Sequence, residues 1–93
     1  MIRSFKNKRT ERLFNGEVFK GVSVDLAKMA RRKLRMVHRA VKLSDLSVPT
    51  GNHLEALKRD RLGQHAIRIN DQFRVCFVWK DRDAFDVDVT DYH

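Results

Sequence analysis

Residues 65–93 read HAIRINDQFRVCFVWKDRDAFDVDVTDYH. Three runs in this stretch, His65 to Ile69, Phe73 to Lys80 and Ala84 to Tyr92, have the alternation and the β-branched and aromatic content of strands. Asn70-Asp71-Gln72 and Lys80-Asp81-Arg82-Asp83 supply turn chemistry between them. Side chains alternate across a strand, so an apolar face fixes the pairing. Placing Ile69 opposite Phe73 leaves a short loop and pairs Ile67 with Val75. Placing Phe77 opposite Val87 pairs Val75 with Val89. Every member of these pairs is apolar and is expected to face a core.

The same register dictates the other face. Arg68 becomes the neighbour of Arg74, and Arg74 lies opposite Thr90 and diagonal to Tyr92. Like charges directly opposed destabilise a sheet. Two arginines beside a tyrosine suit a site where an anion sits between them. The alternative is that both snorkel into water, or that Asp86 or Asp88 neutralises them.

Upstream, Ile2 to Phe5 alternates like a short strand. Asn7 is a candidate N-cap for a helix over Lys8 to Phe14, stopped by Asn15-Gly16. Ser23 caps a second helix, with Asp25 suited to its N-terminus. Leu26, Ala30, Leu34, Val37 and Val41 form one apolar stripe, widened by Met29 and Met36, which carries this helix to about Leu43. A short turn or helix is expected at Ser44 to Ser47. Val48-Pro49-Thr50-Gly51-Asn52 then breaks the chain between a helical half and a strand-rich half. The break is too short for an interdomain linker, so residues 1–93 are expected to form one domain. The fold class that follows is α+β, a small antiparallel sheet with N-terminal helices packed on one face.

Twenty Lys and Arg against 12 Asp and Glu give a net charge of +8. Such an excess favours an anionic partner: nucleic acid, an acidic protein or a membrane surface. No stretch approaches the ~20 apolar residues of a membrane helix. The N-terminal MIRSFKNKR has no apolar core of a signal peptide. One cysteine, Cys76, rules out an internal disulfide and suits a reducing compartment; mid-strand, it reads as a small buried hydrophobe. His38 and His65 read as polar-surface residues, and four scattered histidines with one cysteine make no metal-ligand pattern.

Two basic features remain. Lys58, Arg59 and Arg61 crowd the segment NHLEALKRDRLG, residues 52–63, and with Arg68 and Arg74 they compose a patch suited to phosphate. The long helix holds Lys28, Arg31, Arg32, Lys33, Arg35, Arg39 and Lys42 with no acid between Leu26 and Leu43. That face is suited to RNA phosphates or to an acidic partner.

The frame LEALKRDRLGQHAIRINDQFRVCFVW with a final DYH resembles the HigB-type toxins, the plasmid maintenance killer proteins of the RelE/ParE superfamily. The opening MIRSF and the long helix before the GN-L-EALK segment are similar too, so the resemblance covers nearly the whole chain. It implies a bacterial, cytoplasmic type II toxin. Such toxins are endoribonucleases that cut messenger RNA in the A site of the 30S ribosomal subunit, restrained by a HigA-type helix-turn-helix antitoxin. The implied chemistry uses no cofactor and no metal: a 2′-hydroxyl attacks the adjacent phosphate while protein groups move protons and stabilise charge.

On that resemblance, Arg74 steadies the phosphorane, helped by Lys58 and Arg68. Tyr92 and His93 serve in acid–base work or base stacking, and Asp91 orients a neighbour or stays outside the chemistry. Arg59, Arg61, Arg68, His53 and Glu55 are the expected RNA contacts. Some relatives place a histidine three residues before the lysine; here that position is Glu55. His53, two residues earlier, lies on the same side if the backbone is extended, so the base is His53, Glu55 or neither. Two other functions fit the charge and fold: a non-catalytic inhibitor such as a ParE-like gyrase poison, and a plain RNA- or ribosome-binding module.

Overall fold

The computed structural model describes residues 1–92, and begins where the caps predict. The Asn7 side chain accepts a hydrogen bond from the Thr10 amide at 2.8 Å and opens α1, Lys8–Phe14. Ser23 Oγ accepts from the Leu26 amide at 3.1 Å and opens α2, Val24–Arg39, with Asp25 in the first turn and His38 and Arg39 in the last. Ala27, Ala30, Leu34 and Val37 are the buried face of α2.

The helix stops four residues short of the expected Leu43. Ala40 turns extended, at φ −63° and ψ 135°. The Asp45 carboxylate then accepts from the amides of Val41 and Lys42, both at 3.0 Å, and starts a 3₁₀ turn over Leu43–Ser47. Val41 therefore leaves the apolar stripe and is 54% exposed. Its spacing matched the stripe, but a side-chain cap ended the helix first.

Four strands form one antiparallel sheet in the order β1-β2-β3-β4: β1 Glu55–Ala56, β2 His65–Arg68, β3 Phe73–Lys80 and β4 Asp83–Asp91. The two-residue β1 was not foreseen. Asn70 Oδ1 closes the first hairpin by accepting from the amides of Gln72 and Phe73, at 2.8 and 2.7 Å. Asp81 and Arg82, at φ 52° and 69°, close the second with the left-handed pair that suits strand twist.

The expected register holds at Ile67↔Val75, Arg68↔Arg74, Arg74↔Thr90 and Val75↔Val89. It shifts between Cys76 and Val78, where Asp86 at φ 52° bulges out of β4. Phe77 and Val87 are therefore not a simple cross-strand pair, although both are fully buried. The extra residue swaps faces: Val87 and Val89 point to the core on one side of the bulge, Ala84 on the other.

The segment Ile2 to Phe5 is not a strand of the sheet. It runs parallel along the free edge of β4, bridging Ile2 to Ala84 and Phe5 to Val87. Farther along, Thr10 Oγ1 takes the Val89 amide at 3.1 Å, so the edge is covered rather than left open to pairing. Helices and sheet share one apolar cluster, with Leu13, Leu34, Val37, Ile67, Val75 and Phe77 at its centre. Leu57, Ala66 and Cys76 make a second, small cluster on the outer face. Cys76 is buried as expected, and burial pushes its thiol pKa up.

The two histidines expected at the polar surface are half-buried instead. His38 Nδ1 accepts from the Ile2 amide at 3.1 Å and its ring lies 5.3 Å from Phe14. His65 stacks on Phe77 at 6.5 Å with its Nδ1 buried and unpartnered. Both stand where an aromatic packs beside them, which a lone polar letter in a sequence does not reveal.

Candidate active site

The outer face of the sheet is built by register. Arg74 on β3 faces Arg68 on one side and Thr90 on the other. Tyr92 continues the line of Thr90, its amide donating to Gln72 O at 2.9 Å. The Arg74 guanidinium lies 5.2 Å from the centre of the Tyr92 ring. Its Nε is buried without a hydrogen-bond partner, and among the described residues Arg74 has no ion pair. An orphaned buried donor is costly unless a ligand completes it.

Beside Arg74 opens a cavity of about 310 Å³, lined by the 57–61 turn together with Arg74, Thr90 and Asp91. Lys58, Arg59, Arg61 and Arg74 face Asp60 and Asp91 there, an excess of cations suited to a phosphate. Arg59 holds a left-handed backbone, φ 56°, a conformation costing a non-glycine residue on the order of 1–3 kcal/mol.

Not every expected contact is equally free. Arg61 is engaged inside the protein, with Nη2 3.2 Å from Asp88 Oδ2 and Nη1 donating to Gln64 Oε1 at 3.1 Å. Arg68 pairs with Asp71, whose side chain is almost wholly in water, so the pairing is weak and readily exchanged. Asp91 lines the cavity, and its Oδ2 accepts from Gln72 Nε2 at 3.0 Å. Glu55 is exposed on β1, and its negative charge helps to raise the pKa of the Tyr92 hydroxyl. His53 is exposed with a left-handed backbone, φ 47°, so the extended geometry that would set it beside Glu55 does not exist. His93 lies outside the described residues.

Sequence reasoning missed three contributors. Thr90 lines the cavity; the register implied its place, and its hydroxyl was overlooked. In the sequence Asp88 reads only as a neutraliser of Arg68 and Arg74; nearly buried, it holds Arg61 instead. Lys33 leaves the cationic face of α2 to donate to Asn52 Oδ1, and its pKa is lowered by burial first, then by Arg32 and Arg68. Asn52 is fully buried and donates to Leu46 O at 3.1 Å, fixing the chain that leads into β1. Among the described residues, no three His, Cys, Asp or Glu side chains gather as a metal cluster would require.

Tyr92 is the chain's one tyrosine, so its proton can be followed directly. Burial raises its pKa; Arg68 opposes that, Glu55 adds to it, and Arg74 opposes it again. The phenol thus stays protonated throughout the neutral range. In an alkaline titration, tyrosinate absorbance is expected to appear above the range of a free phenol, and Arg74→Ala should move the midpoint higher still. A midpoint at or below that of free tyrosine would contradict the arrangement.

A family model for the RelE-like toxin of the type II toxin–antitoxin system HigB matches residues 3–93. The chain belongs to this family. Endoribonuclease HigB of Proteus vulgaris is 30% identical over 93 residues, covering 100% of each chain. Toxin HigB-1 of Vibrio cholerae is 42% identical over 50 residues, 54% of this chain and 53% of that protein. The YoeB–YefM complex from Staphylococcus aureus contains a chain with the same fold, at a TM-score of 0.63 and 16% identity, covering 100% of this chain and 98% of that one. As a HigB-like toxin, the protein has an antitoxin for a partner. No helix among its described residues is long and apolar enough to cross a membrane.

Proposed function

We propose that this HigB-like toxin is an endoribonuclease that cuts messenger RNA in the ribosomal A site, without a metal ion. The Arg74–Tyr92 pair beside a cation-lined cavity carries the reading. The relative named Endoribonuclease HigB, aligned over the whole chain, supports the endoribonuclease part of this reading.

The messenger 2′-hydroxyl attacks the adjacent phosphorus. Its proton passes to a base, the P–O5′ bond breaks, and the leaving oxygen takes a proton. The products are a 2′,3′-cyclic phosphate and a 5′-hydroxyl. Negative charge grows on the phosphoryl oxygens, where Arg74 and Lys58 stabilise it; a fixed cation in a partly dehydrated site needs no rearrangement at that moment. Tyr92, kept protonated by burial, donates to the phosphate or the leaving oxygen. Glu55 is the candidate base of this reading: its charge is felt at Tyr92, and the left-handed backbone at His53 removes the extended geometry that would set the two side by side. Arg59 and Arg68 hold flanking phosphates, and Asp91 orients its neighbours. On the family resemblance, His93 serves in acid–base work or stacking. The antitoxin is of the HigA helix-turn-helix type, and the site of action is the bacterial cytoplasm.

The test is incubation with ribosomes carrying a defined messenger, with and without a chelator. Cleavage in the A-site codon, unaffected by chelation and ending in a cyclic phosphate, is expected. Intact messenger alongside inhibited gyrase supercoiling would overturn the proposal in favour of a ParE-like poison. Salt-sensitive ribosome binding without cut product would reduce it to a binding module.

A further inference from the structure

We infer that Asp88 is a positioning residue, which ties the cation-bearing turn at residues 58–61 to the sheet and so sets where Lys58 and Arg59 meet the cavity. Its kinetic consequence rests on the nuclease reading above; the tether itself rests on geometry.

Asp88 is 5% exposed, on the outer face opposite Cys76. A carboxylate so far from water is costly to bury unless cations and hydrogen bonds compensate it. Its partners come from two distant parts of the chain. Oδ1 accepts from Asn7 Nδ2 at 3.0 Å. Oδ2 lies 3.2 Å from Arg61 Nη2 and 3.9 Å from Lys6 Nζ. Asn7 is itself fixed, because its Oδ1 caps α1 at the Thr10 amide. Asp88 thus joins the entry of the first helix to the end of the basic turn.

The turn needs such an attachment. Its internal bonds, Arg61 N to Lys58 O at 3.2 Å and Leu62 N to Arg59 O at 3.0 Å, shape it, and Leu57 N to Gln64 O at 2.8 Å closes its base beside β2; none of these bonds holds its tip against β3 or β4. Leu57 anchors one end by packing on Ala66 and Cys76, and the Arg61–Asp88 pair anchors the other. Between them sits Arg59 with its left-handed backbone. The Arg61 fork is spent on Asp88 and Gln64, so this arginine is a strut rather than a phosphate contact.

Charge alone predicts the opposite effect of removing Asp88. Deleting an acid beside a polyanion site should tighten RNA binding. A positioning role predicts slower chemistry despite that gain. Asp88→Asn and Arg61→Met are each expected to lower single-turnover cleavage on saturating programmed ribosomes by roughly 10- to 100-fold. The double variant should be little worse than the slower single variant, because both cut one strut. Affinity for a single-stranded messenger oligonucleotide should hold or rise in Asp88→Asn. In Arg61→Met the slope of log affinity against log salt should stay unchanged, whereas losing a phosphate contact would reduce it by about 0.7.

Amides of residues 58–62 should exchange hydrogen faster in Asp88→Asn, a readout independent of activity. Cleavage by Asp88→Asn at about the wild-type rate, or a fall in salt slope for Arg61→Met, overturns the inference. If Asp88→Asn does not fold, Arg61→Met decides on rate and slope together. If the wild-type protein leaves messenger intact, the nuclease reading has failed, and amide exchange alone judges the tether: faster exchange supports it and unchanged exchange ends it.

Discussion

Arg74→Ala is expected to slow A-site cleavage by roughly 10²- to 10³-fold while leaving the melting temperature near that of the parent. The two halves of this expectation have separate physical sources. On the proposed reaction, charge accumulates on phosphoryl oxygens in the transition state, and Arg74, its Nε buried, has no carboxylate among the described residues to satisfy it. Its replacement removes an interaction made more strongly in the transition state than in the ground state, so the loss should fall on the rate at saturation. Stability behaves otherwise. Arg74 faces Arg68 directly, a like-charge pair costing about 0.2–1 kcal/mol, and relief of that repulsion offsets a loss of about 0.5–1 kcal/mol from the contact with Tyr92. Arg74→Lys keeps the charge without the planar fork, and should recover part of the rate. Cleavage at saturation and thermal unfolding on the same preparations check the claim. An Arg74→Ala protein that cleaves at the parental rate, or that loses activity only because it unfolds, would remove Arg74 from the site.

The placement of Arg74 was legible in the sequence because hairpin register is a parity argument. Ile67, Val75 and Val89 had to share a face, and Arg68, Arg74 and Thr90 were carried to the other together. Caps were equally legible, since Asn7 and Ser23 bond amides three residues ahead. What the letters did not show was set by contacts distant in sequence or by single dihedrals. The bulge at Asp86 turns on one left-handed residue, and it ended the parity argument beyond Cys76. The end of α2 was decided by the Asp45 carboxylate, while the apolar spacing ran on to Val41. At the site, the 58–61 turn could be recognised as basic, but Arg61 could not be separated from Lys58 and Arg59. That distinction depends on Asp88, 27 residues away, reaching across the sheet. His53 failed for a local reason: alternation presumes extended backbone, and its φ is positive.

The same contrast between stripe and structure yields the largest stability effect. Phe77→Ala is expected to destabilise the protein by about 3–5 kcal/mol, and Val41→Ala by no more than about 0.5 kcal/mol. Phe77 is fully buried on β3, with His65 stacked at 6.5 Å and the Trp79 ring edge-on at 6.3 Å. It sits where β4 changes register, so the backbone on that side has already taken up its slack in the bulge. Truncation to alanine would leave a cavity that neighbours fixed by strand pairing cannot fill, and cavity cost adds to the lost burial. Domains of this size hold roughly 5–15 kcal/mol in all, so the variant should melt roughly 12–40 °C lower. Val41, of similar apolar character and on the same numerical stripe as Leu34 and Val37, is more than half exposed and has little burial to lose. Circular dichroism melts of the two variants decide between them. Equal losses would mean that α2 continues through Val41 and that the turn begun by Asp45 does not form in solution.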